Sequence, residues 1–174
     1  MRPVREIVGD CVPYFVIHTL MIAEDKIRTW LGDSGLDVEF FLVDLVVSKE
    51  NKIRIYLDNQ QGITIDECVQ ISRFLESRLD EQGYIFELEV SSPGLDMPFK
   101  VPQQFEKNLG NPVQATIYNG TKKSGKLLAY DGETVGLEVT VSEKIKGKRK
   151  KQKRVSEEII ALKDIKTIKR IISF

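Results

Sequence analysis

The residues with the strongest potential for chemistry form one basic segment near the end of the chain. It holds eight cations within eleven residues and no acid: Lys144, Lys146, Lys148, Arg149, Lys150, Lys151, Lys153 and Arg154. Eight like charges held together repel one another, which costs stability unless an anionic partner compensates. The segment therefore predicts contacts with nucleic-acid phosphates, although the charge does not separate RNA from DNA. Since it contains no aromatic residue, we expect backbone contacts rather than base stacking. The alternative is a solvated loop.

A second group of lysines, Lys122, Lys123 and Lys126, belongs to a segment that has the spacing of a phosphate-binding P-loop. The segment runs from Gly120 through residues 121–125 to Lys126, but Leu127 follows where Ser or Thr should hold magnesium. A P-loop also leads from a strand into a helix, whereas residues 126–132 have the pattern of a short strand and a turn. We therefore assign the three lysines to a hairpin and add them to the candidate nucleic-acid-binding residues.

Other catalytic and metal-binding patterns are missing from the sequence. His18 is the only histidine, and there is no pair of Cys or His residues at metal-ligand spacing. No serine is flanked by the glycines of a nucleophile elbow, and the acid pairs are adjacent in sequence. We expect no catalytic residue, no metal and no cofactor. An enzyme that uses the glycine-lysine loop on a nucleotide is the least favoured alternative.

The charges of the chain are segregated between its two halves. Residues 1–98 hold 9 Lys and Arg against 18 Asp and Glu, while residues 99–174 hold 17 against 8, although the net charge is zero. Such asymmetry indicates different partners for the two halves. The acidic half could attract a basic protein, or its charge could serve only solubility.

Residues 1–20 have the character of a peripheral extension, and Met21 begins the first helix-like segment. We expect translation to begin at Met21, so that the upstream start codon at Met1 is not used. Cys11 and Cys68 form no disulfide framework, which fits a reducing cytoplasm. No apolar run approaches the length of about 18 residues that spans a membrane.

The first half has the order helix, hairpin, helix, strand. Apolar residues at helical spacing follow Ala23, and residues 38–48 and 53–57 form a hairpin across a turn at Lys49, Glu50 and Asn51. Thr64 and Glu67 form a capping box before a helix whose apolar face is Cys68, Ile71, Leu75 and Leu79. Residues 84–90 form the last strand. This order predicts an α+β layer with the helices on one face of a sheet.

The second half has the pattern of a small all-β barrel. Ser91, Ser92, Pro93 and Gly94 stop the preceding strand, and we expect Gly94 to use its freedom to adopt positive φ. A short helix at 103–109 precedes five strands at 112–118, 126–130, 134–141, 154–160 and 167–172. Turn dipeptides at Asn119 and Asp131, each followed by Gly, separate the strands and favour a closed barrel. We set the boundaries at 21–92 for the α+β domain, 93–100 for the linker and 101–174 for the barrel.

Residues 62–96 carry the resemblance to a known family. Residues 62–68, Ser72 with Arg73, Leu79 with Asp80 and above all residues 88–96 resemble the ribosome maturation factor RimP family. Over residues 21–174 the resemblance implies an α+β domain joined to an SH3-like or Sm-like barrel. Residues Ser91, Ser92, Pro93, Gly94 and Asp96 match the family motif, whose main role we take to be a rigid turn between the domains. Met97 stands where the family usually has Arg.

The resemblance implies a non-enzymatic cytoplasmic factor that matures the small (30S) ribosomal subunit. Its partners would be the immature subunit, 16S rRNA and a small-subunit ribosomal protein of the decoding centre, with no membrane and no small-molecule substrate. We expect a monomer. The alternative is a general RNA-binding Sm-like module that forms rings and is not dedicated to the ribosome.

Overall fold

The computed structural model describes residues 21–144 and 151–171, and the side chains of 21–140 and 155–171. No helix in these residues is both long and apolar enough to cross a membrane. The elements of the first half are α1 (Glu24–Gly32), β1 (Phe41–Val47), β2 (Lys52–Asp58), α2 (Ile65–Glu81) and β3 (Glu87–Ser91). Those of the second half are α3 (Pro102–Lys107), β4 (Pro112–Ile117), β5 (Lys122–Tyr130), β6 (Thr134–Lys144), β7 (Lys151–Ala161), a 3-10 helix (Leu162–Asp164) and β8 (Ile165–Arg170).

The first half contains a three-stranded sheet in the order β1-β2-β3. The predicted order of helix, hairpin, helix and strand is confirmed, and β1 and β2 are antiparallel. β3 is parallel to β2, because α2 carries the chain back across the sheet between the two strands. Among the described residues β3 therefore lies at one edge of the sheet and pairs with β2 alone.

Alternation along β2 places the core on one face of this sheet. Ile53, Ile55 and Leu57 are buried, while Lys52 and Arg54 are exposed. The buried face packs against α1 and α2 in one apolar cluster, to which α2 contributes Ile71, Leu75 and Leu79. The predicted apolar face of α2 is thus confirmed for these three residues. Cys68, the fourth predicted member, lies near the N-terminus of α2 and is only partly buried.

The capping box at the start of α2 is confirmed. The amide of Glu67 donates to the Thr64 hydroxyl at 3.2 Å, and the Thr64 amide donates to Oε2 of Glu67 at 2.6 Å. The bond from the Thr64 amide, followed by the one from its hydroxyl, lowers the pKa of Glu67 below its ordinary value.

Asn51 joins three separate parts of the first half. It has a positive φ of 57° in the turn between β1 and β2 and is fully buried. Its Oδ1 accepts from the Ile22 amide at 3.0 Å, and its Nδ2 donates to the Ile85 carbonyl at 3.1 Å. Its own carbonyl accepts from the Glu87 amide at 3.1 Å. The turn predicted at this position is therefore also the attachment point for the start of α1 and for β3.

The second half contains a five-stranded antiparallel sheet in the order β7-β6-β5-β4-β8. The five predicted strands are confirmed, although β5 begins at Lys122 rather than at Lys126. A second apolar cluster, which includes Phe105, Leu127 and Leu137, forms the core of this half. β7 and β8 are the two ends of the order and do not pair within the described residues, so the hydrogen-bonded ring of a closed barrel is not formed there.

Candidate nucleic-acid interface

The basic segment lies on the β6–β7 hairpin. Lys144 ends β6 and Lys151 begins β7, and the two residues are directly opposite in register. Lys153 is paired with Ser142 and Arg154 with Val141. Four of the eight predicted cations thus have a described backbone position, and all four fall on one strand pair. Like charges directly opposite each other destabilise such a pair, so an anionic partner would stabilise the hairpin.

This part of the hairpin extends past the rest of the sheet. β5 pairs with β6 only as far as Gly125, whose partner is Val139. Beyond that point residues 140–144 pair, among the described strands, with β7 alone, which makes a two-stranded ribbon of residues 140–144 and 151–155. At about 3.4 Å per residue the ribbon is about 17 Å long. A ribbon of this kind presents both strands to a partner without interference from a third strand.

Gly125 marks the position where β5 leaves β6. A Cβ there would overlap the carbonyl oxygen of Glu138 and lie 2.9 Å from its carbonyl carbon. Only glycine permits such a close approach of two backbones. The first part of β5, from Lys122 to Ser124, pairs with β4 instead.

No described contact joins the lysines at the start of β5 to the ribbon. Lys123 forms an ion pair with Glu158, and both side chains are about one-third exposed. Lys126 lies opposite Glu138 in register, so its charge also has an acidic neighbour. Lys122 is exposed, opposite Thr116. Of these three candidates, Lys122 has the least compensated charge.

Several sequence predictions fall outside the described residues. They concern the cations Lys146, Lys148, Arg149 and Lys150, and the whole extension 1–20.

The P-loop spacing is not a phosphate site in this fold. The chain from Lys122 through Lys126 is β-strand, and no helix follows it before β6. Gly120 has a positive φ of 86° and its amide donates to the Ile117 carbonyl at 2.9 Å, as a hairpin turn requires. The hairpin interpretation is confirmed.

The motif at residues 91–96 leads from the first sheet to the second. Ser91 ends β3, and the Met97 amide donates to the Gly94 carbonyl at 2.8 Å, which closes a turn. Gly94 is not among the glycines with positive φ, and a Cβ there would only touch the Met97 side chain at 4.0 Å, so the expected role for its freedom is wrong. Nζ of Lys169 on β8 lies 3.6 Å from Oδ1 of Asp96.

Three ion pairs between described side chains connect the two halves, and in each the acid comes from the first half. Lys107 on α3 reaches the end of β2, where its Nζ lies 2.7 and 2.8 Å from the two Asp58 oxygens and 2.7 Å from the Asn59 carbonyl. Lys100 pairs with Asp44 on β1, and Lys169 pairs with Asp96. The charge segregation therefore also holds the halves together. The sequence indicated the segregation but gave no signal for these particular partners.

A small cavity of about 70 Å³ lies at this junction. Met97 lines it, together with Asp58, Lys107 and Arg170. The resemblance leads us to expect Arg at position 97, where this chain has the apolar Met97. Met97 lines the same cavity as Asp58, whose charge Lys107 already neutralises. Lys107 and Arg170 supply the cationic groups near Asp58 instead.

The first sheet and the motif also carry a family signature. The model of the RimP N-terminal domain family matches residues 34–96. The ribosome maturation factor RimP from each of two strains of Porphyromonas gingivalis is 37% identical over 152 residues. The matched region covers 87% of this chain and 100% of each relative, so it includes both sheets. The chain belongs to the RimP family. As a RimP-family member it combines the matched first half with the ribbon-bearing second sheet.

Proposed function

We propose that this chain is a non-enzymatic, cytoplasmic assembly factor for the small (30S) ribosomal subunit. Its ribbon contacts phosphates of 16S rRNA in the immature subunit, and its acidic half meets a basic small-subunit protein near the decoding centre. The chain works as a monomer. Membership of the RimP family supports the ribosomal assignment, because the curated relatives are named ribosome maturation factors.

The position of the cations supports the contact with RNA. Lys144, Lys151, Lys153 and Arg154 all lie on strands of one ribbon, and no third strand in the described part of the chain pairs with it. Cations on a two-stranded ribbon that extends from a sheet can contact the phosphate backbone and release its bound counterions. We expect contacts that depend little on sequence.

We also propose the domain organisation that this function needs. Residues 21–92 form the α+β domain, 93–100 the linker and 101–174 an SH3-like or Sm-like barrel. The ion pair of Lys123 on β5 with Glu158 on β7 supports strong curvature of the second sheet, because these strands are separated by β6.

Sedimentation with purified immature small subunits tests the proposal. The first variant replaces the four ribbon cations Lys144, Lys151, Lys153 and Arg154 with Gln. A control variant replaces four exposed cations elsewhere, Lys49, Arg73, Lys163 and Lys166, so that the net charge is the same. We expect wild type and control to sediment with immature but not mature subunits, and the ribbon variant to remain in the supernatant.

The salt dependence of RNA binding provides a second measurement. If four to seven phosphates are engaged, the log–log slope for wild type should be roughly −3 to −5, and its magnitude should fall by about 0.7 for each ribbon cation removed. A slope near zero, or equal losses in both variants, contradicts the ribbon as the contact. A stable oligomer that binds free RNA as tightly as it binds the subunit would instead identify a general RNA-binding module.

A further inference from the structure

The outer edge of β3 is open for strand addition. β3 is the last strand in the sheet order, and no described residue pairs with its second edge. The Glu87 amide donates to Asn51, toward β2. Since consecutive residues of a parallel strand point their backbone groups to opposite sides, Leu88 and Val90 direct an amide and a carbonyl each to the open edge. Unpaired edges of this kind are templates for another strand.

An apolar groove runs along this edge. Its volume is about 420 Å³, and it lies between the first turns of α2 and β3. Ile65 is 82% exposed and Val69 39% exposed, and both line the groove on the helix side. Burial, and then the Glu67 carboxylate, raise the pKa of Cys68, so its thiol stays neutral in the same wall. Two exposed aliphatic side chains beside an open edge suit the apolar residues of an added strand.

The opposite face of the sheet carries alternating rows of charge. Nζ of Lys52 lies 3.4 Å from Oε2 of Glu87, and Nε of Arg54 lies 3.5 Å from Oε2 of Glu89. β2 thus presents cations and β3 presents acids. A strand added next to β3 would place every second side chain beside Glu87 and Glu89, where cations give favourable cross-strand pairs.

The same acids disfavour a second copy of this chain as the occupant. If β3 paired antiparallel with itself around Leu88 or Glu89, glutamates would lie opposite glutamates. Like charges directly opposite each other destabilise such pairing. The charges on β3 therefore disfavour its pairing with a second copy of β3 and favour a basic segment.

We propose that this groove is a docking site for an extended protein segment that alternates basic and apolar residues and adds a fourth strand to the sheet. Its apolar side chains contact Ile65 and Val69, and its cations face Glu87 and Glu89. The inference rests on the proposed function only for the expectation of a basic protein partner. The groove, its edge and its charges are independent of the ribbon.

A designed peptide tests the site directly on the full chain. The probe is an eight-residue, end-capped peptide that alternates Lys or Arg with Val. We expect saturable binding, NMR shifts confined to β3 and the start of α2, and slower hydrogen exchange at the amides of Leu88 and Val90. A peptide of the same composition with N-methylated amides on the edge-pairing side should bind at least about tenfold more weakly, because it loses the strand hydrogen bonds.

Charge reversal provides the matched variants. Glu89→Lys should lower the affinity for the basic peptide by about three- to tenfold and allow a Glu-Val peptide to bind. Glu81→Lys is the control, because it also removes one exposed ion pair, with Arg78 at 3.8 Å, and changes the net charge equally, but it lies at the far end of α2. It should leave both affinities unchanged.

Four results would overturn the proposal: no binding at millimolar peptide, equal effects of both variants, unaltered affinity of the methylated peptide, or a β3-mediated dimer that excludes the peptide. Tighter peptide binding after deletion of residues 1–20 would assign the groove to that segment instead. Sedimentation with immature subunits separates the two proposals. Loss of peptide binding with intact subunit binding rejects only the groove, and the reverse rejects only the assembly function.

Discussion

The ion pair between Lys107 and Asp58 should couple the stability of the two halves. Their side chains are only 20% and 13% exposed, and Lys107 Nζ has three oxygen partners within 2.8 Å. Exposed pairs contribute about 0–1 kcal/mol, and removal of one partner from a fully buried pair costs about 3–5 kcal/mol. For this partly buried pair we expect Lys107→Met and Asp58→Asn to cost about 2–3 kcal/mol each. The double variant should cost about 1–2 kcal/mol less than their sum.

Urea unfolding monitored with two probes measures this coupling. Trp30 is the only tryptophan, so its fluorescence reports on the first half, while far-ultraviolet circular dichroism reports on both. The two transitions should coincide in wild type and separate in Lys107→Met, because the second half then unfolds more independently. Lys52→Met with Glu87→Gln is the control cycle, since that pair is 50% and 73% exposed. A coupling energy below about 0.5 kcal/mol for Lys107 and Asp58, or one equal to the control, would refute the reasoning.

Three further predictions concern single positions. The folded-state pKa of Glu67 is lowered, so its ionised carboxylate stabilises the fold. This stabilisation is present above the unfolded-state pKa and is lost as the pH falls through the folded-state pKa. The difference in thermal midpoint between wild type and Glu67→Gln should therefore be constant above the unfolded-state pKa of about 4.3 and shrink as the pH falls below it; a difference independent of pH contradicts the assignment. Asn51→Ala should cost about 3–4 kcal/mol in urea unfolding, because it leaves a buried amide and a carbonyl unpaired, and Asn51→Gly about 1 kcal/mol less, because glycine accepts the positive φ. Equal costs for Asn51→Ala and Asn51→Gly would contradict the expected effect of the positive φ. Gly125→Ala should cost about 2–3 kcal/mol, whereas Gly32→Ala, with no atom within 4 Å of its added Cβ, should be near neutral by the same measurement.

The local elements of the chain could be predicted from the sequence because their signals are local. Thr64 and Glu67 are three residues apart and form their cap without help from the rest of the chain. The turns at Gly120 and Gly132 use the positive φ that their dipeptides indicate. The alternation of β2 between Lys52 and Leu57 fixed which face is buried.

The candidate sites depend on contacts that no local pattern encodes. Lys107 meets Asp58 across 49 residues, and Lys123 meets Glu158 across 35. The basic composition of the second half does not reveal that Lys123 lies against a carboxylate. The need for Gly125 appears only when β6 approaches β5, and the edge position of β3 follows from its place at the end of the described strand order.

The contacts of Asn51 constrain the order in which a growing chain can fold. Its side chain binds Ile22, which lies 29 residues earlier, and Ile85, which lies 34 residues later. While the polypeptide is being synthesised, Asn51 joins the chain before Ile85 does, and the two can meet only after both have left the ribosome. Until β3 emerges, its amide group lacks this acceptor and the positive φ of its backbone has little support. The first half should therefore acquire its native structure in one late step, after β3 is released, rather than gradually as α1 and the hairpin appear.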